Sequence, residues 1–349
     1  MKRKKRILIA PLDWGIGHAT RCIPIINQLI ENDFEVIIAA DGRPLHLLAN
    51  EFEKLEIIRL PGYNIKYPKF IPMSISMILQ SPKILLAIRK EHQLLKKIIV
   101  DYNIDGVISD NRFGLYNKKI PCVFITHQLE IQSPFMKEKI KEINYNYINK
   151  YNACWVVDNK ENDLAGELSH PDDLPNNVKY IGIQSRFKKK QVNKKYDFLG
   201  LVSGPEPQRT IFEKGLINSL AKRKEKSILL SGKPEKEEKK QIGNLTIYSH
   251  LNSNELNTVI LESEIIICRP GYSSLMDLQK LEKKAFLIPT PGQTEQEYLS
   301  ERLFKSKVCY MQKQSDFDFD LAIKEIEKFE GFKNNQSEKI NWNDLFSLF

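Results

Sequence analysis

Short β-branched runs alternate with longer amphipathic stretches along nearly the whole chain, and few folds accept that order. "RILIAP", "FEVIIAAD" and "LEIIRLP" read as strands, with "RCIPIINQLIEN" and "PLHLLANEF" between them as helices. Units of this kind feed a parallel sheet with helices packed on its faces. After a helical stretch over 74–100 come three more strands, "DGVISD", "PCVFITH" and "ACWVVD", so a first doubly wound domain is expected over residues 1–185. Beyond the basic segment "RFKKKQVNKK" the alternation restarts. "YDFLGLVSG", "KSILLSG", "NLTIYSH", "EIIICRPG", "KAFLIPTP" and "KVCYMQK" are strands, and "SNELNTVILES", "YSSLMDLQKL" and "EQEYLSERLF" helices. These define a second α/β domain over 186–335, in which "GKPEKEEKKQ" is expected to be a solvated loop. The tail over 336–349, with the amphipathic "INWNDLFSLF", either packs back across the first domain or caps the second.

Composition narrows the class of partner. Of 349 residues 42% are hydrophobic and 28% charged, enough for two soluble domains with real cores. The formal net charge of +9 favours anionic partners such as nucleotide phosphates or acidic lipid. No basic-aromatic module accompanies it, so nucleic acid is not expected. Five cysteines stand singly without a CxxC pair, which points to a reducing, cytoplasmic setting and no zinc site. The basic head "MKRKKR" precedes too short an apolar run for a signal peptide, and no stretch of about 18 apolar residues exists to span a membrane.

At the first strand's end lies "PLDWGIGHATR", Pro11 to Arg21. Ligands of open α/β sheets bind beyond the carboxyl ends of the strands, and Gly15 and Gly17 let the backbone approach one there. A dinucleotide fingerprint would need a third glycine where Thr20 stands, although Asp41 after the second strand would suit a ribose, so NAD remains an alternative. Neither explains the histidine. His18 opens the next helix, and histidine, whose ordinary pKa is about 6.5, suits proton transfer at neutral pH. The plain alternative is a turn-capping residue.

In the second domain "CRPGYSSLMDL" follows a strand, so Gly271, Tyr272, Ser273 and Ser274 begin a helix whose free N–H groups form an anion site. Asp277, one turn on, suits a ribose hydroxyl; otherwise the serine is an N-cap and the aspartate a solvated residue. "IPTPGQTEQEYLSERL" then places Gln296 and Glu297 near the start of a helix, where amide and carboxylate groups grip sugar hydroxyls.

Together these motifs resemble a GT-B glycosyltransferase, most closely family 28, which includes the lipid-intermediate UDP-GlcNAc transferase of peptidoglycan synthesis. "GIGHATR" resembles that family's glycine-rich turn ending in His, "RPGYSSLMD" its Arg-x-Gly motif with Asp277 in place of the usual Glu, and "TEQEYLSE" its Gln-rich sugar motif. The resemblance implies two Rossmann-like domains facing across a cleft, with the acceptor on the first and a nucleotide sugar, commonly UDP-linked, on the second. It implies transfer of a hexose-type sugar with inversion, and donor contacts from Gln296 and Glu297 (sugar), Asp277 (ribose) and Ser273 with neighbouring N–H groups (diphosphate), with Gln293 and Ser274 as further donor-binding residues. "VSGPEPQR" stands where the family has a Gly-Ser-rich loop, which adds Ser203, Gly204 and Arg209. Ser300 replaces a frequent Asn, so the sugar is not fixed by analogy.

Transfer needs a base, charge stabilisation and alignment. His18 fits the first, with Asp110 in "DGVISDNRFG" either orienting its imidazole or capping the next segment. His127 in "FITHQLE" is the reserve base, beside Gln128 on the acceptor side. The helix start at Gly271 with Arg269 or Arg209 would stabilise the leaving group, so neither metal nor cofactor is expected. "DFDFD", Asp316 to Asp320, reads as helix capping and not as a metal grip. The segment from Phe70 to Lys97 is basic and amphipathic, so an anionic membrane surface carrying a lipid-linked acceptor is a candidate partner, against a helix simply packed in the domain. An epimerase on the same fold, or a binding partner without chemistry, are the rival readings.

Overall fold

The computed structural model describes residues 3–63, 73–132, 136–233, 237–333 and 340–349, with the backbone alone over 73–79. It divides into two compact units, one of residues 1–185 with 336–349, the other of 186–335.

In the first unit the chain runs β1 (Arg6–Pro11), α1 (Gly17–Glu31), β2 (Glu35–Ala40), α2 (Gly42–Glu51), β3 (Glu56–Arg59), α3 (Met73–Asp101), β4 (Gly106–Asp110), β5 (Cys122–Thr126), α4 (Lys137–Ile148), β6 (Ala153–Val156) and β7 (Val178–Tyr180). All seven strands are parallel, in the order β3-β2-β1-β4-β5-β6-β7. Because helices cover both faces, β4 and β5 are buried at every position, which explains their unbroken apolar runs. Strand order reverses between β1 and β4, where Pro11 lies opposite Asp110 at the carboxyl end. That is the switch point at which such sheets bind ligands.

The second unit repeats the plan with β8 (Tyr196–Leu201), α5 (Gln208–Leu220), β9 (Ser227–Leu230), β10 (Lys239–Ile242), β11 (Leu245–Tyr248), α6 (Ser253–Glu262), β12 (Ser263–Cys268), α7 (Tyr272–Lys280), β13 (Lys284–Leu287), α8 (Thr294–Lys305), β14 (Tyr310–Met311) and α9 (Phe319–Ile326). Its order is β10-β11-β9-β8-β12-β13-β14, with only β10 antiparallel. The switch point lies between β8 and β12, Leu201 opposite Cys268. Its core gathers Phe198, Phe212, Leu216, Ile267, Phe286 and Phe319.

The last helix, α10 (Trp342–Phe346), belongs to the first unit. Phe346 meets Phe34 and Trp155 with ring centroids 5.5 and 6.1 Å away, and Phe349 lies 6.3 Å from each. Gly106 admits that last ring: a Cβ there would come within 2.4 Å of it.

Two sequence expectations are corrected. "KEEKKQ" is not wholly loop, for Lys239–Ile242 forms β10; all four residues are exposed on a sheet edge, so no apolar alternation marks them. Helix α4 was not expected, since its "KEKIKEINYNYI" buries only Asn144 and Ile148 and carries a faint apolar stripe. "DFDFD" does cap a helix, Asp318 Oδ1 accepting from Leu321 N at 3.0 Å.

Candidate functional site

The glycine turn after β1 carries α1 to the first switch point. Gly15 holds a φ of +80°, with its N–H on the Asp13 carbonyl at 3.0 Å, and a Cβ there would meet nothing. Gly17 opens α1 without any side-chain cap, which leaves His18 on the helix's first turn. The His18 imidazole has its Nδ1 3.0 Å from Asp110 Oδ1, and 13% of the side chain remains exposed. Asp110 itself is fully buried.

What holds a buried carboxylate there is Arg21, one turn along α1 and therefore on the same face as His18. Its Nε donates to Asp110 Oδ2 at 2.6 Å and its Nη2 to Oδ1, while Nη1 reaches His127 Nδ1 at 2.9 Å. Burial pushes the Asp110 pKa up, but the Arg21 and His18 contacts overcome it and hold the carboxyl well below the usual range. Asp110 is thus a fixed anion. Cys22 also lies against it, 3.5 Å from Oδ2, and burial pushes that thiol well up, so it stays protonated.

His127 follows β5 in a turn closed by Thr126 Oγ1, which accepts from Gln128 N at 3.0 Å. The structure thus brings His18, Asp110 and His127 together about one guanidinium. Arg21 is the member that sequence reasoning passed over. Its spacing of three residues from His18 on a helix was the available signal. Gln128 is half-buried beside them. Asp41 bonds Arg59 Nε at 3.0 Å and Gly62 N at 3.3 Å, an arrangement that closes a loop.

The carboxyl edge of the second sheet is built otherwise. Each loop after β8, β9, β12 and β13 carries a glycine: Gly204, Gly232, Gly271 and Gly292. Three of them have positive φ, +108°, +64° and +76°, and only Gly271 does not. At Gly271 and Gly292 a Cβ would meet nothing. Helix α7 starts after Gly271 with no side-chain cap, and Ser273, Ser274 and Asp277 lie half-buried along its first turns. Ser203 and Gly204 are exposed nearby in sequence to Arg209, which pairs with Glu206 and donates to the Ser231 carbonyl at 3.0 Å. Thr290 Oγ1 is buried without a partner, 3.5 Å from where a Gly204 Cβ would stand.

Three expected donor contacts are otherwise engaged. Arg269 is buried, donating to the Ile288 and Pro289 carbonyls at 2.9 Å each, to the Gln208 carbonyl at 3.2 Å and to Gln314, with its guanidinium over the Phe212 ring. Burial draws its pKa down to about 10. It braces strand-end loops through Nη1 and Nη2. Gln296 Oε1 accepts from Thr290 N at 2.8 Å, and Glu297 Oε1 from Gly292 N at 2.9 Å. Both shape the loop before α8; Gln293 sits at its N-cap position. Ser300 is fully buried and bonds the Glu297 carbonyl at 3.0 Å.

Asp158, Asp163 and His170 lie close enough together to hold a cation among the described residues. Asp158, however, already accepts from the N–H groups of Asn159, Leu164 and Ala165 and from Ser169 Oγ, which makes it the organiser of its own loop. No helix among the described residues is long and apolar enough to cross a membrane. The segment expected to meet a membrane lies in part outside the described residues; on α3, Leu85 and Leu86 are exposed next to Lys83, Arg89 and Lys90.

Two such sheets, each with its switch point at the carboxyl edge, define the GT-B fold. Solved structures agree. The chain is similar to spinosyn rhamnosyltransferase SpnG complexed with thymidine diphosphate (12% identity, TM-score 0.64, covering 94% of this chain and 93% of that one). It is also similar to CalG4, the calicheamicin glycosyltransferase (11%, TM-score 0.63, 93% and 90%), and to Acinetobacter baumannii MurG (11%, TM-score 0.56, 94% and 93%). Residues 209–345 match the glycosyltransferase family 28 C-terminal domain, so the second half of the chain carries a domain of that family within a GT-B fold. A comparison with curated proteins finds no match.

Proposed function

We propose that the protein transfers a hexose-type sugar from a nucleoside diphosphate donor, UDP-linked by preference, to a hydroxyl acceptor, with inversion at the anomeric carbon and without a metal. The observation that carries this reading is the His18–Asp110 pair at the first switch point. His18 Nε2 takes the acceptor hydroxyl proton as that oxygen bonds to the sugar C1. The bond from C1 to the diphosphate oxygen breaks, and the nucleotide leaves as the anion. Asp110, a fixed anion, stabilises the imidazolium that forms.

In the second unit the uncapped start of α7, with the Ser273 and Ser274 hydroxyls, supplies the grip for the departing diphosphate, and Asp277 serves the ribose. A helix dipole and oriented N–H groups do this without a cation, so EDTA should leave the rate unchanged. SpnG binds thymidine diphosphate, which supports a nucleotide donor of this class. The acceptor, a lipid-linked or cell-envelope hydroxyl presented at an anionic membrane surface, is the further part of the proposal, with a cytoplasmic enzyme acting at the inner face.

The test is thermal stability with millimolar UDP, GDP, dTDP, ADP and NAD in parallel, followed by release of nucleotide from the matching sugar donors. A ligand at about 100 times its Kd stabilises by roughly 2.7 kcal/mol. A shift with UDP or dTDP that is lost in Asp277→Ala supports the reading. A shift with NAD alone overturns it, and conversion of the donor sugar without an acceptor would make the protein an epimerase.

A further inference from the structure

Arg21 and His127 have no part in the reaction as proposed, yet both are buried at the same switch point. A guanidinium carries donors and no acceptor. The 2.9 Å contact from Arg21 Nη1 to His127 Nδ1 therefore requires that Nδ1 be bare, and the ring proton of neutral His127 sits on Nε2. Protonating both ring nitrogens would set two donors face to face. Arg21 Nη2 also lies 2.9 Å from His18 Nδ1, but the same Nη2 bonds Asp110 Oδ1. Nη2 has two hydrogens and does not decide the matter; a carboxylate oxygen has none, so the Nδ1–Oδ1 contact is a hydrogen bond only with the proton on Nδ1. His18 Nδ1, 3.0 Å from Oδ1, keeps its own hydrogen and donates it to the carboxylate.

We infer that Arg21 is a positioning residue that fixes the two histidines in opposite tautomers, His18 with a bare Nε2 and His127 with an Nε2–H. His18 alone can accept the hydroxyl proton. His127 is then a hydrogen-bond donor to a substrate oxygen and is not a second base. The roles toward substrate rest on the transferase reading; the proton positions rest on the geometry of these four side chains.

The experiment is 15N–1H correlation spectroscopy of protein labelled at its six histidines, at neutral pH, with His18 and His127 assigned through H18Q and H127Q. The expected wild-type spectrum shows the proton on Nδ1 of His18 and on Nε2 of His127; the reverse placement at either ring overturns the inference. In R21M, His127 should lose its single tautomer while His46, His92, His170 and His250 keep theirs, an outcome that general unfolding would not produce. An unchanged His127 in a folded R21M overturns the role of Arg21. Should R21M fail to fold, R21K, which keeps the charge and loses the fork, gives the same readout. In turnover, H127Q, whose amide N–H stands in for Nε2–H, should lose at least tenfold less than H127A. Equal losses would overturn the donor role. Absence of transfer from every donor, with the tautomers as stated, would sink the transferase reading and leave the proton arrangement standing, so the two failures are told apart.

Discussion

The two sheets of this protein end in edges made of different material. The first is built from buried charge: Asp110, Arg21, His18 and His127 at one point, and beside it Arg112, fully buried, bonded to Glu91 and to the Pro61 carbonyl at 2.6 Å. The second is built from backbone, with a glycine in the loops after β8, β9, β12 and β13 and an uncapped helix. Its one deeply buried arginine, Arg269, faces the unit's own carbonyls. Fixed side-chain charges can set a proton's position, and that costs desolvation which partners must offset. Peptide dipoles can hold an anion with little reorganisation and no titration. In the proposed reaction the first edge carries the proton transfer and the second holds the departing anion.

The sharpest break comes from His18→Ala. Turnover should fall by on the order of 10²–10⁴-fold, the usual range for a lost general base, with nucleotide affinity intact. A normal rate ends the assignment of chemistry to the first edge. Next, Asp110→Ala removes the carboxylate that offsets the buried Arg21 charge and should lower stability by about 3–5 kcal/mol in urea unfolding. The wild-type carboxyl is depressed in the fold. Its contribution is therefore complete above the unfolded carboxylate pKa, about 3.9, and drains as pH falls below that. Asp110→Asn should flatten this acid limb; an identical limb would show that other carboxylates govern it.

How far the sequence disclosed these edges follows the same divide. Strand runs such as "DGVISD" announce themselves because both faces are covered, and His18 and Asp110 stand at strand ends where chemistry is expected. Arg21 did not, since a helical arginine is ordinarily solvated and only its three-residue spacing from His18 hints otherwise. Arg269 differs in the opposite direction: next to a glycine turn it reads as a phosphate ligand, and the fold adds carbonyl contacts that the sequence does not announce. Gln296 and Glu297 look like sugar contacts in the sequence, whereas their Oε1 atoms accept backbone N–H bonds. Short-range pattern cannot separate a group that holds a ligand from one that holds the loop beside it.

Smaller effects sharpen the second edge. Gly232→Ala forces a side chain into a φ of +64° and within 2.5 Å of the Val202 carbonyl, and should cost about 1–3 kcal/mol of stability. Gly271→Ala meets no neighbour at a φ of −70°, so the melting temperature should hold while nucleotide affinity drops by roughly tenfold, about 1.4 kcal/mol. Loss of both, or of neither, would argue against a backbone anion site. The smallest change concerns Lys283, buried with its ammonium on the Ser263 carbonyl. Burial and the nearby Lys194 pull its pKa down to about 7. The unfolded chain binds more protons between that value and about 10.4, so stability rises with pH across the interval. Lys283→Met should remove this rise and stabilise the protein near pH 7 by on the order of 1 kcal/mol. A slope that persists in the variant would place the titrating group elsewhere.

The seat of α10 on Phe34 and Trp155 has a consequence for the newborn chain. Residues 340–349 cover part of the first sheet's unit, yet the ribosome reaches them only after the whole second unit has been made. At about 5–20 residues per second that delay is roughly 8 to 30 s. For that interval Phe34 before β2 and Trp155 in β6 wait without their final cover. The half that begins first finishes last, and a chain stalled anywhere in the second unit lacks the ring contacts that Phe346 and Phe349 supply.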